Sequence, residues 1–209
     1  MANYSGRLAD GTKILMKREL SAVLADLRRK ALRSKNARLN LVIFRLAACC
    51  GLRASEIANL QMADVRVELP RPHLRIRASA AKGGRPRMVP LWWDRGTYDD
   101  LVAWVKDRLT RGAKTSDSFV CSWQPERGEI AFSRFTLRKR FRTACKVLGS
   151  ERLKPLTIHH GRHTFISHAL AGGRTLAEVR DAAGHSNVSI TSIYLHVAVE
   201  DGELGSLFS

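Results

Sequence analysis

Between residues 64 and 91 the apolar residues change their spacing. "DVRVEL", "HLRIRAS" and "RPRMVPL" alternate apolar with polar, the period of a strand buried on one face, and "AKGG" separates the last two. A small antiparallel sheet of three strands is predicted, with a Lys-Gly-Gly turn. On either side of it the period is helical. Residues 12–32 and 37–50 carry apolar positions at helical spacing, the second run closing at Gly51, a residue suited to a C-cap. A short helix follows at 55–60. Helices are predicted again at 97–111 and at 133–148, where Leu137, Phe141, Ala144 and Leu148 make an apolar stripe. Three more fall at 158–171, 175–183 and 188–196, punctuated by "GG" and "GH". The fold class is therefore mainly α with a small three-stranded antiparallel β-sheet. A chain of 209 residues buries a sizeable core and reads most simply as one domain.

The helix at 158–171 contains a contradiction. Ile158, Phe165, Ile166, Ala169 and Leu170 mark one inward face, and Arg162 falls on that same face. Burying a guanidinium without a partner is costly, so Arg162 needs an anion, either a protein carboxylate or a ligand phosphate. His159 lies three residues earlier and projects beside it, so the pair reads as a two-donor clamp. His159 and His163 stand four apart, a spacing that can share a metal. No Glu lies between them as the HExxH zinc motif requires, and Arg162 would bring positive charge to the ion, so no metal ligand is assigned. His160 and His163 are read as scaffolding that caps or satisfies backbone groups.

Charge narrows the partner. Thirty-six Lys and Arg against nineteen Asp and Glu give a formal net charge of +17. A domain this basic meets a polyanion, because phosphate contacts release condensed counterions. No helix opposes a strongly apolar face to a Lys-rich one, which argues against a membrane surface. The longest apolar run, "LNLVIFRLAACCGL", is broken by Arg45, and the N-terminus lacks the apolar block of a secretion signal. A cytoplasmic, nucleoid-associated protein is expected. Cys49, Cys50, Cys121 and Cys145 form no CxxC pair and are read as small core residues. On the predicted hairpin Arg75, Arg77, Arg85 and Arg87 flank Lys82, and on one helix Arg138, Lys139 and Arg142 crowd together, so both regions are candidates for contact with a DNA backbone.

Five separated motifs then fall into an ordered set. "CGLRASEIANL" places Arg53 in a turn between helices, "AKGGRPRMVPL" places Lys82 on a hairpin, and "HHGRHT" supplies His159 and Arg162. "AGHSNVSITSIYLHV" supplies His185, with Tyr194 nine residues on. Over about residues 20–197 this order resembles the catalytic domain of the tyrosine recombinase (phage integrase) family. The resemblance implies an enzyme that cuts and rejoins double-stranded DNA through a 3′-phosphotyrosine, with no cofactor and no ATP. It implies that Arg53 and Arg162 grip the phosphate, that His185 adds a third donor, and that Tyr194 is the nucleophile. His159 would accept the phenolic proton and Lys82 would protonate the leaving 5′ oxygen. Fixed cations would then meet the charge that grows on the phosphate oxygens.

The implied layout is a leader at 1–11, the catalytic domain at 12–197 and a tail at 198–209, with the family's usual N-terminal DNA-clamping domain absent. A homo-oligomer on DNA, a tetramer, is implied as well. Two departures stand out: Gly161 and Ala183 occupy positions where the family often has Leu, which touches helix packing rather than chemistry. Glu56 is expected as an exposed first-turn glutamate rather than a partner of Arg53. Two rival readings share the scaffold, a type IB topoisomerase that relaxes DNA and an inactive DNA-binding regulator. The short interval from "GH" to Tyr194 favours the recombinase.

Overall fold

The computed structural model describes residues 11–81, 83–124 and 128–195. A 3-10 turn at Gly11–Lys13 leads to α1 (Lys17–Ala31), which buries Leu20, Val23, Leu24 and Leu27 on one stripe. The predicted helix start at residue 12 is thus early. Ile14 and Leu15 are buried in an entry segment whose polar groups are taken elsewhere. The Leu15 N–H donates to Thr164 Oγ1 at 2.9 Å, and its carbonyl lies 2.8 Å from His168 Nε2. Arg152 adds to the staple by binding Glu19 at 2.7 Å and donating to the Thr12 and Ile14 carbonyls.

Helix α2 (Lys35–Phe44) opens with Ser34, whose hydroxyl accepts from the Ala37 N–H, and runs on as a π turn over Arg45–Cys49. The Arg45 side chain is buried, and Asp94, Asp100 and Thr97 satisfy it. A short α3 (Ala54–Ala58) follows the turn at Gly51. Gly51 has φ +66°, and a Cβ there would lie 2.4 Å from the Phe165 ring, so the turn needs glycine on both counts.

The sheet forms as predicted but with shorter strands. It comprises β1 (Val65–Arg66), β2 (His73–Ile76) and β3 (Arg87–Pro90), all antiparallel, with Leu74 opposite both Val65 and Val89. Leu74, Ile76 and Val89 face the core while Arg75 and Met88 face away, as period-two alternation requires. Helix α4 (Arg95–Thr110) is capped by Asp94. A second, two-stranded hairpin follows, β4 (Cys121–Gln124) with β5 (Gly128–Ala131), which the sequence reading did not anticipate.

The rest is helical: α5 (Arg134–Ala144) with a 3-10 turn at Cys145–Leu148, the short α6 (Ser150–Leu153), α7 (Ile158–Ala171), α8 (Leu176–Ala183) and α9 (Val188–Ser192). The centre of the core is α7 laid against the π turn. Gly161 permits this approach, since a Cβ there would stand 3.0–3.2 Å from the backbone and Cβ of Ala47. The departure at this position is therefore a packing device. Phe44 stacks on Phe141 and Trp93 on Phe165 around the same centre. All four cysteines are free and buried in it. Among the described residues no helix is long and apolar enough to cross a membrane.

Candidate active site

Arg162 lies on the buried face of α7, as its spacing implied. Its anchors are not carboxylates. Nη1 donates to the Gly51 carbonyl at 2.8 Å, and Nη2 donates to the Ala183 carbonyl. The guanidinium thereby ties the turn before α3 to the end of α8. Carbonyl dipoles orient the group without neutralising it. Burial first, then the nearby charge of Arg53, pull its pKa down to about 9. The cation is therefore held at an electrostatic cost that an arriving anion would relieve.

Arg53 is the N-cap of α3, and three residues on lies Glu56. Glu56 is wholly buried, which corrects the expectation of an exposed glutamate. It accepts from the Arg53 N–H at 2.8 Å and from Arg53 Nη1 at 2.9 Å. Arg87 of β3 grips the same carboxylate with two parallel bonds of 2.8 Å, and its Nε donates to the Ala182 carbonyl. Burial alone would raise the Glu56 pKa, but the two arginines outweigh it and hold the carboxyl below its ordinary value. One buried carboxylate thus fixes Arg53 and stitches α3, β3 and α8 together.

His185 follows α8, where α8 ends at a left-handed Gly184. Its Nδ1 lies 2.9 Å from the hydroxyl of Thr191 on α9. Burial, followed by the charges of Arg162, Arg53 and Arg87, pushes its pKa down to about 4, so the ring is neutral. Tyr194 lies just past α9, and its N–H bonds the Thr191 carbonyl. The tyrosine is buried at 4% exposure, and its hydroxyl meets Nδ1 of His163. The two rings stack with centroids 5.5 Å apart. Burial raises the phenol's pKa while Arg162 opposes the rise, so Tyr194 rests as the phenol. His163 is itself neutral, its pKa brought to about 4 by burial and then by His160, His159 and Arg162.

His163 is the functional neighbour that sequence reasoning missed, because helical spacing says nothing about what arrives from α9. His160 does cap: its Nδ1 accepts from the Thr157 N–H at 2.9 Å. His159 is exposed, and burial together with the charges of Arg138, Arg162 and Arg53 lowers its pKa. Lys82 lies outside the described residues, as do the leader and the tail. Among the described residues no three His, Cys, Asp or Glu side chains gather as a metal site.

The basic residues expected on a DNA face divide into two sets. Arg87 is withdrawn from that role, since its side chain is 7% exposed and spent on Glu56. Arg75 and Arg77 both pair with the buried Asp64, at 3.1 and 3.0 Å, and Arg77 also donates to the Asn59 carbonyl. These two belong first to the sheet's own packing. Arg85, Arg138, Lys139 and Arg142 are exposed, Arg142 with one bond to the Leu156 carbonyl.

The model of the family described as "Phage integrase family" matches residues 13–201. Tyrosine recombinase XerC of Corynebacterium efficiens is 34% identical over 161 residues, covering 77% of this chain and 47% of that protein. A tyrosine recombinase of Pseudothermotoga lettingae is 29% identical over 80% of this chain and 52% of its own length. The chain thus spans about half the length of the curated relatives it matches. Among solved structures, XerA recombinase superposes with a TM-score of 0.68 at 20% identity, over 96% of this chain and 64% of that one. XerH recombinase bound to its palindromic difH substrate, a post-cleavage complex, also superposes with a TM-score of 0.68, at 21% identity over 90% of this chain and 50% of that one.

Proposed function

The chain belongs to the phage integrase family, and on that premise we propose that it is a site-specific recombinase that cuts and rejoins double-stranded DNA through Tyr194. The observation that carries this reading is the meeting of Arg53, Arg162, His185 and Tyr194, drawn from four separate segments, in one cationic pocket. Residues 12–197 are its catalytic domain.

Attack on a phosphodiester builds negative charge on the non-bridging oxygens. Arg53, held by Glu56, and Arg162, held by two carbonyls, meet that charge with oriented N–H groups. His185 adds a third donor. The Tyr194 oxygen bonds to phosphorus as the bond to the 5′ oxygen breaks, and Lys82 gives that oxygen its proton. The phenolic proton passes to His159, with His163 holding the hydroxyl until then. A 3′-phosphotyrosine and a free 5′ hydroxyl result. The bond energy stays in the protein–DNA link, so rejoining needs neither ATP nor a metal ion. The partner is duplex DNA, engaged by Arg85, Arg138, Lys139 and Arg142, and the recombining species is a tetramer on two duplexes.

The test is a nicked suicide duplex incubated with the protein in EDTA. A covalent adduct that vanishes in Tyr194→Phe is expected. An adduct that survives the change, or one that requires a divalent ion, would overturn the reading.

A further inference from the structure

Thr191 has no exposed surface, and its hydroxyl faces Nδ1 of His185 at 2.9 Å. We propose that Thr191 is a positioning residue: its hydroxyl donates to Nδ1, fixes His185 as the tautomer that carries its proton on Nε2, and so makes the phosphate donor depend on the docking of α9. The inference rests on the reading of the site given above and deepens it.

A neutral imidazole has one N–H to give and one lone pair. His185 is neutral in this setting, pressed by burial and by three arginines. If Nδ1 held the proton, the ring would spend it on Thr191 and turn a lone pair toward an anionic phosphate. Donation from Thr191 reverses this and leaves Nε2–H for the ligand. A partner on one ring nitrogen is the usual way a protein chooses the tautomer of the other. A threonine in a helix has an easy alternative, the carbonyl four residues back. Here that carbonyl belongs to Asn187, the cap of α9, and the hydroxyl reaches across to His185 instead.

The consequence lies in what else α9 carries. Tyr194 is one turn beyond Thr191 and on the same side, and its hydroxyl likewise meets Nδ1 of a neutral histidine, His163. Both contacts between α9 and the rest of the site are hydroxyl-to-imidazole bonds. Lifting α9 away would remove the nucleophile and, in the same motion, release the tautomer of His185. Nucleophile and phosphate donor are therefore assembled or dismantled together, and a half-built site that could cut wrongly is avoided.

The experiment uses the full chain with 15N-labelled histidine. Long-range proton–nitrogen spectra taken without DNA should show His185 protonated at Nε2 and bare at Nδ1, and Thr191→Val should bring in the second tautomer. On the nicked duplex, Thr191→Val should slow adduct formation about tenfold to a hundredfold while Thr191→Ser stays within about twofold, the range typical of a bond that orients an imidazole. Binding to intact duplex should stay unchanged in both. A wild-type His185 protonated at Nδ1, a Val variant as fast as wild type, or a Ser variant as slow as Val would each overturn the inference. Should the Val variant fail to fold, the wild-type spectrum and the Ser rate still decide it. A wild-type protein that forms no adduct would sink the recombinase reading, and the DNA-free spectrum would judge Thr191 independently.

Discussion

The hydroxyl of Tyr194 is bonded to Nδ1 of His163, so the nucleophile has a partner inside the protein before any phosphate arrives. Because Tyr194 is the last anchored residue of the α9 turn, that bond also restrains the turn. In His163→Ala, the amides of Ile193 and Tyr194 should exchange about threefold to tenfold faster with solvent, the equivalent of one net hydrogen bond. Unchanged exchange at these two amides would show that the bond restrains nothing.

His163 and His185 both have folded pKa values of about 4, below the ordinary value of 6.5. The unfolded chain takes up protons at these rings from about pH 6.5 downward, whereas the folded chain does so only near 4. Their contribution is thus fully present above pH 6.5 and is lost as the pH falls toward 4. Urea midpoints measured from pH 7.5 to 4.5 should fall across that window. The fall should be shallower in a protein carrying His163→Gln and His185→Gln, and an equal slope would refute the assignment.

Glu56 holds two arginines from a wholly buried position. Glu56→Gln keeps the shape and removes the charge, leaving Arg87 at 7% exposure without its counterion. A loss of about 3–5 kcal/mol in unfolding free energy is expected, the usual cost of breaking a buried pair from one side. Arg53 should also lose its fixed orientation, so cleavage should drop by more than DNA binding does.

Arg138 and Lys139 are exposed on α5 beside His159. If each meets one phosphate, replacing both with Ala should lower the slope of log affinity against log salt by about two. Arg142→Ala should weaken binding less, because part of that guanidinium is committed to the Leu156 carbonyl. Equal effects from all three would place the duplex elsewhere.

Periodicity made α7 and α8 readable to within a residue, since both have one buried stripe and end in glycine. It also exposed the oddity of Arg162, an arginine on an apolar face. What periodicity could not convey is the destination of a long side chain. Arg75, Arg77 and Arg87 alternate out of a strand as surface residues do, yet each turns back to a buried carboxylate, Asp64 or Glu56. Glu56 looked exposed because a five-residue helix has too few positions to define a face. His163 drew the wrong role for the same reason: its partner comes from thirty-one positions along the chain. The hairpin of β4 and β5 escaped because its strands are four residues each, too short for an alternation to declare itself. Gly161, noted only as a departure, makes sense once Ala47 is found against it.

The staple at the entry to α1 reaches further than anchorage. Leu15 is bonded through both its N–H and its carbonyl to Thr164 and His168, and these lie on the helix that bears Arg162 and His163. A pull or twist applied to the chain ahead of Leu15 is therefore delivered straight onto α7, bypassing the sheet and the first two helices. Whatever is joined to this chain upstream of that point holds a lever on the catalytic arginine.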